Sequence, residues 1–332
     1  MSVNETDPDN NDLPRYYSKF VVLIILEIPS IFISLLIFIY FAVNRHTRVK
    51  PHHHSILLLL LINYFQVITD LPMPMSFFRL NGLVQPATPA YCTWWIWYEF
   101  SLNTINGFLM AWISTERHLL IFHSFYIQNL APWKRKMLHV APLIVFTAWG
   151  PLYYLLTIII SPTCVNQWRF DSLLCGLPCY LLTSFGTFDL FFDVITPVCV
   201  IFLCNFALFL RIVYRNTLSI GRIRNYHQRH RKMALQLGLI SFVYLAIWMP
   251  LSVIQLGQIY IDPTFLVDYL DIFNFLVYIV PLILPIICLI SFPEILKSAK
   301  NIISPQRNTA IRPLNVTHTL QNKTKQNSQQ ER

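Results

Sequence analysis

The sequence predicts an all-α integral membrane protein, a bundle of seven transmembrane helices followed by a short amphipathic eighth, and three observations predict it. The 332 residues are 55% hydrophobic and only 12% charged, with a mean hydropathy of +0.49, which is more apolar surface than a soluble domain of this size can hide. Seven long apolar segments recur, at roughly 20–43, 55–78, 94–122, 137–160, 181–214, 233–258 and 266–292, each long enough to cross about 30 Å of hydrocarbon at about 1.5 Å per residue. Of the 25 Lys and Arg, only Arg15, Lys19, Arg79 and Arg169 fall on the N-terminal side of those segments. This positive-inside bias puts the N-terminus outside and the C-terminus in the cytoplasm.

The segments divide the chain into four parts. Residues 1–18 form a polar, acidic outer tail with a glycosylation sequon at Asn4-Glu5-Thr6. No basic start or small-residue cleavage site marks a signal peptide, so the tail is expected to stay on the mature protein. Residues 19–292 form the bundle. Its prolines (Pro29, Pro197, Pro250, Pro281 and Pro285) are tolerated because neighbouring helices supply partners for the carbonyls they free. In 293–303, Ile295, Leu296, Ala299, Ile302 and Ile303 share one face, as in a helix lying in the membrane interface. Residues 304–332 are rich in Gln, Asn and Thr and are expected to be a disordered cytoplasmic tail. Two further sequons, at Asn315 and Asn322, fall inside and are chance matches.

The net charge of +9 is a topology signal and an attraction to anionic membrane lipids, not an indication of nucleic-acid binding. His52-His53-His54 project in different directions and do not read as a metal site. No metal or other cofactor is expected.

The third segment carries the most specific pattern. Cys92 opens it on the outer side, and Glu116-Arg117-His118 closes it on the inner side, with Cys92 twenty-five positions before Arg117. An Arg at the inner mouth of a helix bundle needs a partner, and the adjacent Glu116 supplies one until another segment competes. Pro197 lies in the fifth segment, Trp248-Met249-Pro250 in the sixth and Pro285 in the seventh. In order and spacing across residues 20–303, these landmarks resemble the rhodopsin-like (class A) G-protein-coupled receptors, as a divergent orphan-type member.

The resemblance implies a receptor of the plasma membrane that binds an extracellular ligand and activates a heterotrimeric G protein, with arrestin as a further partner. Glu116, Arg117, His118, Trp248, Pro250 and Pro285 would be its activation residues. Four outer cysteines allow three pairings. The resemblance joins Cys92 to the second outer loop, where Cys175 is favoured by its distance before Pro197, leaving Cys164 and Cys179 for a second bridge. The chain also departs from the family: Asn63, Asn205, Leu284 and Cys288 stand where polar or acidic residues are usual. Weak sodium modulation and activation by apolar repacking are therefore expected. Trp149 lies farther beyond Arg117 than the family's helix-4 tryptophan.

The acids inside the bundle give the expected ligand its charge. Glu99 is eighteen residues above Arg117, about 27 Å along the helix. Asp189 and Asp193 are one turn apart on the fifth segment, and Tyr278 is seven residues before Pro285. Each carboxylate at a helix centre costs about 2.5–3.5 kcal/mol, so acids on facing helices call for a cation. A basic neuropeptide or an amine is the expected ligand, bound by Glu99, Asn103, Asp189, Asp193, Trp248, Ser252, Gln255, Asn274 and Tyr278. The structural alternative is Glu99 hydrogen-bonded to Tyr278 or Asn274. Trp94, Trp95, Trp97 and Tyr98 either box a cation or form an outer aromatic belt.

Other function classes fit less well. Residues 266–292 hold no lysine for a retinal Schiff base. An enzyme reading finds no nucleophile–base pair and no His-Glu-x-x-His. A transporter or channel is the serious non-receptor alternative, since acids in a bundle also line ion paths, but it would show inverted repeats or Gly-rich broken helices. A receptor-like protein that binds ligand without G-protein coupling is the closest alternative, given Leu284, Cys288 and Asn205.

Overall fold

The computed structural model describes residues 12–44, 51–122, 129–160, 164–218, 224–262 and 264–291. Among these residues there is no β-strand. The long helical runs are α1 (Asp12–Val43); α2 (Pro51–Phe65, a π turn Gln66–Asp70, then Pro72–Arg79); α3 (Pro89–Phe122); α4 (Pro132–Tyr154 and a π turn Leu155–Ile160); α5 (Ser184–Asp189, a π turn Leu190–Ile195, then Thr196–Leu218); α6 (Arg224–Tyr260); and α7 (Val267–Ser291). Asn4, the interfacial segment 293–303 and the tail 304–332 lie outside the described residues.

Six of these runs are long and apolar enough to cross a membrane. Their outward faces carry the apolar side chains: Phe32 and Phe242 are each 68% exposed, Ile290 64% and Phe209 62%. A folded soluble domain does not leave such a belt uncovered, and a multi-pass membrane protein requires it. The remaining run, α3, has 34 residues, yet its sequence is less apolar because its neighbours are helices rather than lipid. It packs against α2, α4, α5 and α6, and Ser101, Thr104, Ser114, Glu116 and Arg117 on it are all buried.

The helices begin and end where local chemistry allows. Pro132 opens α4 at its first helical position, where the missing N–H costs nothing. α1 starts at Asp12, well before the apolar run at residue 20, because its extra turns are anchored across the bundle. There Arg15 and Lys19 both reach Asp271 on α7, at 2.6 and 2.8 Å. The Lys19 ammonium also lies over the Phe78 and Phe275 rings. Within α7, Pro285 has no N–H to give the carbonyl one turn back, that of Pro281. Asn63 Nδ2 on α2 donates to that carbonyl at 2.6 Å, so an amide of one helix compensates a proline of another.

Two disulfides close one end of the bundle. Cys92 at the start of α3 pairs with Cys175, and Cys164 pairs with Cys179. The second ring encloses a short segment of the α4–α5 connection, the first ties that connection down onto α3, and Arg169 N–H to Cys175 C=O closes it further. Below the second bridge, Gly186 lies against the backbone of Leu181, so that a Cβ would overlap Leu181 Cα and its carbonyl. The chain needs glycine there to fold from the loop into α5.

Two stability outcomes follow. Gly186→Ala is expected to lower thermal stability in detergent by at least about 2 kcal/mol, since backbone atoms cannot give way as a side-chain tip can. Removing the Cys164–Cys179 bridge by a double serine substitution is expected to cost about 3 kcal/mol, the value for a loop of that length. Unchanged melting temperatures would contradict both.

Candidate functional site

Glu99 on α3 is buried, and both of its oxygens are occupied. Trp95, one turn earlier, donates its indole N–H to Oε2 at 2.9 Å, and the Tyr278 hydroxyl on α7 donates to Oε1 at 2.8 Å. Of the two partners the sequence suggested, Tyr278 is the one used. Trp95 is wholly buried, whereas Trp94 and Tyr98 stack on each other with ring centroids 5.5 Å apart and Trp97 donates to the Pro151 carbonyl on α4. Of the four aromatic residues, only Trp95 turns toward the acid.

The α5 acids are held from the other side. The Tyr154 hydroxyl on α4 donates to Asp189 Oδ1 at 2.7 Å, and Tyr180, in the α4–α5 connection, donates to Oδ2 at 2.9 Å. The Trp149 indole N–H donates to Asp193 Oδ1 at 2.7 Å. Trp149, out of place by spacing, thus has a clear task. Glu99 and the α5 pair share no hydrogen-bond partner: one network joins α3 to α7, the other joins α5 to α4. By hydrogen bonding the three carboxylates thus fall into two groups.

Between the networks and the far end of the bundle lies a small cavity of about 20 Å³, room for about one water molecule. Asn63, Gln66, Asn103 and Asn106 line it together with Tyr244 and Trp248. The amides form a chain: Asn106 Nδ2 donates to Gln66 Oε1 at 2.7 Å, and Gln66 Nε2 donates to Asn103 Oδ1 at 2.9 Å. Asn106 Oδ1 is buried without a protein partner. Among the residues expected to bind ligand, Asn103 and Trp248 border this cavity and the others do not. Ser252 turns back to the Trp248 carbonyl at 2.7 Å. Gln255 Oε1 is buried and unpartnered, and Asn274 is half-buried.

Trp248 also stacks on Tyr244, with centroids 5.7 Å apart. The Tyr244 hydroxyl reaches to within 2.8 Å of where a Cβ on Gly107 would stand. Glycine at 107 therefore lets α6 approach α3 closely beside Pro197, which lies 3.7 Å from the same point.

At the end opposite the disulfides, Glu116 and Arg117 are buried. The Ser55 hydroxyl on α2 donates to Glu116 Oε2 at 2.8 Å, and His139 Nδ1 on α4 lies 2.8 Å from Oε1. Arg117 is beside Glu116 and Cys288 of α7. Ser55 and His139 were not legible as partners, because nothing in one sequence pairs a serine and a histidine on separate helices with a particular acid. Asn205 donates to Ser114 on α3 at 3.2 Å and to its own helix at Ile201. At the disulfide end, exposed Asp171 has its carboxyl held below the usual range by the hydrogen bond from Arg169.

No protein-family model matches this chain, and no curated protein sequence matches it.

Tyr278→Phe is expected to remove one of the two donors on Glu99 and destabilise the protein by about 1–3 kcal/mol, the cost of an unsatisfied buried acceptor. Thermal unfolding of the purified variant measures this. A variant as stable as the parent would show that the Tyr278–Glu99 bond is not formed.

Proposed function

We propose that this chain is a rhodopsin-like G-protein-coupled receptor, crossing the plasma membrane seven times with α3 as the central span. The disulfide end is outside in this reading, which the distribution of Lys and Arg supports, and residues 293–303 form the interfacial eighth helix. The ligand is cationic, a basic peptide or an amine, and the partner inside is a heterotrimeric G protein, with arrestin after it. The chain has no enzymatic role in this reading.

One observation carries the proposal: Glu116-Arg117-His118 ends the central helix twenty-five residues from Cys92, and Glu116 is clamped from two other helices. Ser55 and His139 hold Glu116 beside Arg117, which makes a latch of three helices, α2, α3 and α4. A G-protein segment entering between α3 and α6 competes with that latch for Arg117. Burial makes the competition worth several kcal/mol, since a desolvated Arg and acid are costly to separate without replacement. At the other end, Glu99 is the acid best placed to meet a ligand cation, because its indole and hydroxyl donors orient the carboxylate without neutralising it. Asp189 and Asp193, tied to α4, are the second contact for a ligand long enough to reach both networks. Leu284 and Cys288, both buried on α7, favour an apolar route between the two ends.

The test is G-protein recruitment in cells challenged with a panel of basic peptides and amines. Glu99→Gln is expected to lower agonist potency about 10- to 100-fold at normal surface expression, the worth of a charge-assisted hydrogen bond, and Asp193→Asn to act in the same direction. Glu116→Gln is expected to raise recruitment without ligand. Unchanged potency in both acid variants would overturn the cationic-ligand reading. Binding with no recruitment by any G protein would favour a receptor-like protein without coupling.

A further inference from the structure

Glu27 is half-buried near the middle of α1, within the apolar span Pro14–Val43. Thirteen residues precede it in that span and sixteen follow, about 20 and 24 Å of helix, so its short side chain reaches neither interface. An ionisable group at that depth is almost always met by a partner, yet among the described residues Glu27 makes no hydrogen bond or ion pair. The Ser30 hydroxyl, one turn on, is itself buried without a partner, so the two side chains do not join.

The register of α1 fixes the face on which Glu27 lies. Tyr16, Glu27 and Phe38 are spaced eleven residues apart, three turns each, and so form one stripe. Tyr16 packs on Phe77 and Phe78 of α2, and Phe38 packs on Tyr64 of α2. Glu27 therefore lies midway along the seam with α2, at the level of the π turn Gln66–Asp70. The polar groups of that turn are spent on α3: Gln66 bonds to Asn103, Thr69 to Tyr98, and Asp70 stands beside Glu99. The basic residues of α1, Arg15 and Lys19, reach Asp271 on α7. On the lipid flank of the stripe, Ile24 and Ile31 are half-buried, and Ile28 and Leu35 are exposed. The result is an apolar groove with one unmet acid in it.

We propose that this groove between α1 and α2 docks a single transmembrane helix of another protein, one that carries a Lys or Arg at mid-span. Charge complementarity selects that occupant. Hydrocarbon offers Glu27 no donor, a basic residue at the same depth has the matching need, and pairing meets both. Lipid head-group amines lie too far off, at the two interfaces. A second copy of the chain offers no such group, since the Lys and Arg of the described helices all lie at the ends of their spans. Ile28 and Leu35, seven residues apart and both exposed, give the partner helix two turns of apolar seam beside the acid. Such docking needs only that α1 and α2 cross a membrane, and it draws on neither the ligand nor the G protein.

The experiment is energy transfer in phosphatidylcholine vesicles between the labelled full-length protein and synthetic transmembrane peptides. The peptides are about 22 residues of leucine and alanine with Lys, Leu or Glu at the centre. The Lys peptide is expected to associate about tenfold more tightly than the Leu peptide. Glu27→Gln should remove that difference, and Glu27→Lys should reverse the preference, favouring the Glu peptide over the Lys peptide. Asp171→Asn, which alters an exposed acid outside the spans, should keep the parent preference. Equal association of the three peptides would overturn the proposal, as would a Lys preference that survives Glu27→Gln. Transfer between differently labelled copies of the protein that falls in Glu27→Gln would make a second copy the occupant and overturn it too. None of these results depends on G-protein recruitment, so failure here leaves the receptor reading to the potency of Glu99→Gln.

Discussion

A carboxylate carried into hydrocarbon must be met by partners on neighbouring elements, and the interior of this bundle is organised around five of them. Asp70, Glu99, Glu116, Asp189 and Asp193 are all buried. Four receive contacts from other parts of the fold: Glu99 from α7, Glu116 from α2 and α4, Asp193 from α4, and Asp189 from α4 and the disulfide-bonded connection. Each such contact is specific in a way that apolar packing between helices is not, because lipid competes for apolar surface but offers the acid nothing. The acids therefore act as registration points. They fix which face of α3 meets α7 and which face of α5 meets α4.

The same constraint explains the irregular turns. Three long helices, α2, α4 and α5, each contain a π turn, and two of those turns include a buried acid, Asp70 and Asp193. Widening a helix by one residue per turn shifts the faces on either side of it. In α2 the shift lets Gln66 point to the amide chain of the cavity and Asp70 to Glu99. In α5 it precedes Pro197, whose missing N–H already loosens the ladder, so the wider turn costs little more there.

The all-α, multi-pass membrane character was legible in the sequence because it depends on hydropathy within single segments, and the Cys92–Cys175 bridge was legible through the family resemblance. Which acids meet was not. Asp189 and Asp193 were readable as one face of a helix from their spacing of four, but the donors on that face, Trp149, Tyr154 and Tyr180, come from a helix and a loop whose rotation no periodicity specifies. Asp70 was readable only as another negative charge, since its opposition to Glu99 depends on the π turn that begins at Gln66, and nothing in Gln-Val-Ile-Thr-Asp marks a π turn. The early start of α1 was missed for a similar reason: Arg15 looks like a solvated tail residue, and Lys19 like the edge of the bundle, until Asp271, far along the chain, is brought beside them.

A link between the two ends of the molecule has to pass the region that the acids leave alone. Between the Glu99 level and the Glu116–Arg117 level, the centre of the bundle holds neutral amides, Tyr244, Trp248 and the apolar side chains of Leu284 and Cys288. These side chains carry no charge to be moved, so in the receptor reading a signal through them would be a change of packing. The small cavity and the close seat of Tyr244 against Gly107 supply the two things such a change needs, free volume and a tight contact that is sensitive to small shifts. A tilt of α6 that lifted Tyr244 from Gly107 would open volume beside Pro197 and carry Trp248 toward the amides, whose orphan Asn106 carbonyl is available to receive its indole N–H or a water. In the proposed receptor reading, packing at one glycine would thereby tie Glu99 to the Glu116–Arg117 cluster without any polar relay along α7.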